Sequence, residues 1–100
     1  MLHRLRSYRL AVQFYREARA QSAPRYLKDQ FMRAASSVSL NLSEGSAKKS
    51  QANRRRFYEI ALGSVRECEA IVELLEPESQ KLKEPVDKLA RHVYKLVRAL

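Results

Sequence analysis

Four stretches of this chain repeat apolar side chains at steps of three and four, and no stretch of any length alternates them at steps of two. That spacing dictates α-helices, each with one apolar face. The first stretch runs from about Leu5 to Gln21, with Leu5, Tyr8, Val12 and Tyr15 on one face. Ser22 and Pro24 interrupt it. Pro24 suits a first helical turn and Ser22 a cap, so a second helix is expected over 24–44. Its stripe is Leu27, Phe31, Ala34, Ala35, Val38 and Leu42, and Gly45 stands where a helix stop belongs. A third helix is expected over 50–76, through Phe57, Ala61, Ser64, Cys68, Ile71 and Leu75, with Ile60 and Val72 widening the face, ended by Pro77. After a polar connector, Pro85 opens a fourth over 85–100, with Val86, Leu89, Val93, Leu96 and Leu100. Two glycines and three prolines in 100 residues are too few for a many-turned β protein. The expected fold is therefore all-α, one domain over 1–100: an antiparallel up-down four-helix bundle. The small residues Ala34, Ala35, Ala61, Gly63 and Ser64 would let helices two and three approach closely at its middle.

Five apolar residues lie off these stripes: Leu10, Phe14, Met32, Leu40 and Leu62. Together they are expected to form an association surface, and the chain a homo-oligomer.

Charge is divided unevenly. Residues 1–56 hold 13 Lys/Arg and 3 Asp/Glu, whereas residues 57–100 hold 7 and 8. An excess of this kind points to a polyanionic partner, nucleic acid before others. Lys48, Lys49, Arg54, Arg55 and Arg56 flank the start of helix three, where the helix dipole disfavours cations. A cluster placed against its own helix invites a functional reading, because cations beside free N–H groups suit phosphate. Arg4, Arg6, Arg9, Arg16, Arg19, Arg25 and Lys28 would extend the field. Such contacts grip the backbone of RNA or DNA without reading sequence. Tyr26 and Tyr58 are of a type that stacks on bases, although packing is their commoner use.

Catalytic chemistry finds little footing. The two histidines, His3 and His92, and the single Cys68 have no metal-ligand spacing, and no phosphate-binding glycine loop occurs. Ser64 has no histidine near it in sequence. The polar residues Arg33, Asn41, Glu44, Ser64 and Glu67 suit a structural network instead, with Arg33 or Arg66 against Glu67 and Asn41 against a helix end. Neither an enzyme nor a cofactor is expected. No apolar run reaches the ~20 residues of a membrane span, and the basic start lacks an apolar signal core, so a cytoplasmic protein is expected.

The middle of the chain resembles a known family. Arg33, Ala34, Ala35, Ser37, Val38, Asn41, Leu42, Ser43, Glu44 and Gly45 fit one of its signatures; an aromatic (Phe57 or Tyr58), Ala61, Gly63, Ser64 and Glu67 fit a second, in the same order. The family is that of four-helix-bundle proteins encoded in intervening sequences of bacterial 23S ribosomal RNA genes. It is related to the accessory variability determinant of diversity-generating retroelements. The resemblance implies an up-down bundle, a ring-like homopentamer and, by analogy with that determinant, nucleic acid and a reverse transcriptase as partners. Two functions follow as expectations: a non-enzymatic, basic, oligomeric nucleic-acid-binding protein, or an oligomeric protein–protein scaffold with no direct nucleic-acid contact.

Overall fold

The computed structural model describes residues 2–100, with side chains described from Arg4 onward. It contains α1 (Leu2–Arg19), α2 (Arg25–Ala47), α3 (Gln51–Leu74) and α4 (Lys83–Arg98), with a 3₁₀ segment, Pro77–Leu82, joining the last two. No strand occurs among the described residues.

Cross-helix contacts establish the topology. Phe14 of α1 meets Phe31 of α2 edge to face, their ring centroids 5.9 Å apart. Gln30 reaches Glu67, Ser37 reaches Ser64 and Ser46 reaches Tyr58, each joining α2 to α3. Glu17 lines a groove with Glu84, and Leu10 with Lys88, between α1 and α4. Arg66 and Glu69 of α3 line a cleft with Asp87 and Tyr94 of α4. Late α1 meets early α2, early α2 meets late α3 and late α2 early α3, and Glu17 near the end of α1 shares a groove with Glu84 at the start of α4, so each helix returns along the one before it. The result is an up-down bundle of 41 × 22 × 18 Å, with its most extensive packing between α2 and α3.

The expected stripes of α2, α3 and α4 do form the core, apart from half-buried Phe57, Ser64 and Leu100 and exposed Ile60. That of α1 does so only at its later end, where Val12 and Tyr15 are half-buried and Tyr15 packs against the core. Leu5 is 46% exposed and Tyr8 40%, while Ser7, Ala11, Phe14 and Ala18 are buried. The inward face of α1 is thus the one carrying small residues, which let it sit close to α2 and α4, with Phe14 as its large buried anchor among the described residues. Phe14, expected on an association surface, is 1% exposed and belongs to the core. Leu10, Met32 and Leu62 from the same set are half-buried against that core, and Leu40 alone is widely exposed, at 67%.

Helix ends differ from expectation in three places. α2 runs through Gly45 to Ala47, and no glycine takes a positive φ. Gly45 serves close approach instead: a Cβ there would lie 2.7 Å from Tyr58 Cε1. Ser22 caps nothing; Pro24 is the N-cap of α2, and its carbonyl accepts the N–H of Leu27 and Lys28 at 3.0 and 2.8 Å. The polar connector is wound into the 3₁₀ segment, which buries Ser79 and Leu82. Gly63, expected at the α2–α3 contact, faces outward, and an added Cβ would meet nothing within 4 Å. Ser50 caps α3, its hydroxyl accepting the Asn53 N–H at 3.2 Å.

Candidate nucleic-acid interface

Folding back and forth brings the start of α1, the α2–α3 turn and the end of α4 to one end of the bundle. That half holds eleven Lys/Arg (Arg4, Arg6, Arg9, Lys48, Lys49, Arg54, Arg55, Arg56, Arg91, Lys95 and Arg98) against two acids, Glu44 and Glu59. The opposite half holds nine of each sign. The whole formal charge of +9 therefore resides at one end.

The cations of the α2–α3 turn are held in different ways. Arg54 is half-buried and donates to the Lys48 carbonyl at 2.7 Å, across the open end of α2. Its Nε is buried without a hydrogen-bond partner. Lys48 pairs with Glu44 at 3.1 Å and stands 5.2 Å from the Phe57 ring centroid; Arg56 stands 5.5 Å from the same ring. The cluster opposes the dipole of α3, but it also caps the negative end of α2, which favours it. Lys49, Arg55 and Arg56 are exposed and have no carboxylate partner among the described residues. Arg4, half-buried, lines a groove of about 280 Å³ with Leu5, Tyr8, Leu42, Ser43 and Ser46, beside the end of α2.

Arg16, Arg25 and Lys28 are not brought to this end. Lys28 closes the last turn of α1: its ammonium donates to the carbonyls of Arg19 at 2.7 Å and Ala18 at 3.3 Å, and to that of Gln21. Arg25 stands 4.0 Å from Asp29, and Arg16 projects into solvent near Glu17 in the charge-balanced half.

Of the polar residues of the middle, Ser64 and Glu67 join α3 to α2, with partners other than those expected. Ser64 donates to Ser37 at 2.8 Å, and the Asn41 amide donates to the Ser37 carbonyl at 2.9 Å and hydroxyl at 3.1 Å. Asn41 thus serves its own helix rather than a helix end. Glu67 accepts from Gln30 at 3.2 Å; Arg66 pairs with Glu69 at 2.9 Å, and Arg33 is exposed, so neither arginine meets Glu67. Tyr58 is buried with its hydroxyl 3.0 Å from Ser46, which removes it as a base-stacking platform; Tyr26 is 76% exposed at the opposite end. Burial, ahead of Glu67 and Glu69, pushes the Cys68 thiol up to about 12, which disfavours its thiolate at neutral pH.

Counting charge along the chain misses the part played by α4. Arg91, Lys95 and Arg98 follow its acids Glu84 and Asp87 in the chain, and a count by sequence cancels them. The helix carries Lys95 and Arg98 some way from those acids, whereas Arg91 stays one turn from Asp87 and acts on it.

With this geometry in view, comparison with known families is decisive. The family described as 23S rRNA-intervening sequence protein matches residues 4–100. The chain belongs to that family. No curated protein matches it. Membership in the 23S rRNA-intervening sequence protein family agrees with the four-helix bundle and links the chain by name to ribosomal RNA. No helix here is long and apolar enough to cross a membrane, among the residues described.

Proposed function

We propose that this protein is a non-enzymatic homo-oligomer that holds the phosphate backbone of RNA or DNA against its basic half. The segregation of charge carries the reading: eleven cations and two acids occupy one end, the remainder balancing. Phosphate neutralisation there would release counterions, so affinity would fall steeply with salt. The family's link by name to ribosomal RNA supports RNA as the first ligand to try. A pentameric ring and a reverse transcriptase partner belong to the same proposal and rest on the resemblance to the retroelement determinant alone.

The test is binding of labelled RNA and DNA at two salt concentrations, for the protein and for its Lys49→Ala/Arg55→Ala/Arg56→Ala variant. These three side chains are exposed and have no carboxylate partner among the described residues, whereas Arg54 is committed to the end of α2. The variant should bind more weakly, with a salt slope shallower by about two to three. Absence of binding by the parent protein near physiological salt refutes the reading.

A scaffold without nucleic acid is favoured by a different observation, the exposed apolar residues Leu5, Tyr8 and Leu40. It requires a protein complex that survives nuclease. Both readings require an oligomer, and a mass of 11.6 kDa by light scattering at micromolar concentration would refute the ring. Leu5→Lys or Leu40→Lys, rather than a change at buried Phe14, is the substitution that should dissociate it.

A further inference from the structure

We infer that the face shared by α1 and α4 is a second phosphodiester-backbone site, with Arg6 and Arg9 on α1 and the row Lys88, His92 and Lys95 along α4. It rests on the proposed function and adds to it a row, on α4, that a charge count along the chain conceals.

Two adjoining hollows make up the groove in this face. One, of about 240 Å³, is lined by Leu5, Arg6, Arg9, Leu10 and Gln13. The other, of about 250 Å³, shares Leu10 and Gln13 and continues past Phe14 to Lys88 and then to Glu17 and Glu84. The first hollow thus lies along α1 and holds Arg6 and Arg9, and the second reaches α4 and holds Lys88 with the carboxylates Glu17 and Glu84. His92 and Lys95 line neither hollow, but His92 is close enough to Arg6 to be affected by its charge. Lys88, His92 and Lys95 recur at steps of four and three, which aligns them in one row on α4. At ~1.5 Å per residue the row extends over about 10 Å, enough for successive phosphates of one strand. Among the described residues no carboxylate lies within 4.0 Å of Arg6, Arg9, Lys88 or Lys95.

His92 gives the second observation. It is half-buried, and the charged groups acting on it are Lys95, Lys88, Arg6 and Arg91, all cationic. Burial first, and then these four, hold its imidazole below the ordinary histidine range. A structural histidine in such a place is ordinarily balanced by a carboxylate; here the groups that act on it are cations. A phosphate oxygen laid between the rows would reverse the local field and draw a proton onto the ring. Binding at this groove therefore takes up protons, unlike binding by lysines and arginines alone.

The experiment compares Arg6→Ala/Lys95→Ala with Lys49→Ala/Arg56→Ala, using a single-stranded oligonucleotide and, as a competing polyanion, polyglutamate. All four positions are exposed, and helicity is checked by circular dichroism. The groove variant should lose affinity and show a salt slope shallower by about 1.4, at ~0.7 for each phosphate left unneutralised on a single strand. Parent affinity should rise from pH 7.5 to 5.5, by no more than about tenfold per unit, the limit for one proton. His92→Gln should flatten that rise. If the turn variant weakens binding and the groove variant does not, the groove proposal is overturned and the parent reading stands. Equal pH dependence in His92→Gln, or polyglutamate binding as tightly as the oligonucleotide, also overturns it. Failure of the parent protein to bind any oligonucleotide removes the proposed function and this site with it.

Discussion

Replacing each of the two glycines by alanine should change stability in opposite directions. Both lie inside helices, where alanine is favoured over glycine by about 0.5–1 kcal/mol. Gly63→Ala should realise that gain, because nothing lies within 4 Å of the added methyl. At Gly45 the methyl would stand 2.7 and 2.8 Å from Tyr58 Cε1 and Cδ1, and 3.1 Å from Phe57 Cβ. The Tyr58 ring is buried, and its hydroxyl is held by Ser46 at 3.0 Å, so it has little room to withdraw. Overpacking of this kind costs about 1–3 kcal/mol, more than the helical gain restores. Gly45→Ala should therefore lose up to about 2 kcal/mol, leaving the two variants about 1–3 kcal/mol apart. Urea unfolding followed by far-UV circular dichroism would separate their midpoints by roughly 1 M at a slope near 2 kcal/mol/M. Gly45→Asn sharpens the test, since a left-handed helix stop tolerates asparagine and a buried contact does not. Gly45→Ala as stabilising as Gly63→Ala would refute the close-approach account of α2 and α3.

Three further outcomes are expected. Phe14→Ala should cost about 3–5 kcal/mol and lower Tm by more than about 12 °C without altering the assembled mass; a mass change at unchanged Tm would return Phe14 to an association surface. Lys28→Met should weaken the last turn of α1 by about 1–2 kcal/mol, read as faster amide exchange over residues 18–21, and unchanged protection there would show the ammonium to be dispensable. His92 has its folded pKa below its unfolded one, so the unfolded state binds more protons and stability should fall as pH drops from 7 toward 5; melts of His92→Gln that keep the full slope would deny His92 this part.

Periodicity made the fold legible, because large apolar side chains at helical spacing leave few alternatives. It misled at α1, where two faces compete. Leu5, Tyr8, Val12 and Tyr15 outweigh Ser7, Ala11 and Ala18 in hydrophobicity, yet the smaller set is buried because a helix between two neighbours gains from close contact. Gly45 was legible as a special position but not for its cause: a glycine spared for a neighbour's ring and one spared for a left-handed turn look alike in sequence. The basic cluster at Lys48–Arg56 was visible as a run, whereas the commitment of Lys28 and Arg54 to carbonyls of a preceding helix end was not. Those contacts depend on where the chain turns back. The cations of α4 were hidden for the opposite reason. They are balanced along the chain and separated only in space.

Placing a net +9 at one end of a body 41 Å long gives the molecule a large electric dipole along its long axis. Such a molecule turns in the field of a polyanion before it touches it, and encounters begin with the charged end leading. Ionic strength would then govern the speed of association as well as its tightness. Relocating a few of those cations to the neutral end, at unchanged total charge, would slow capture.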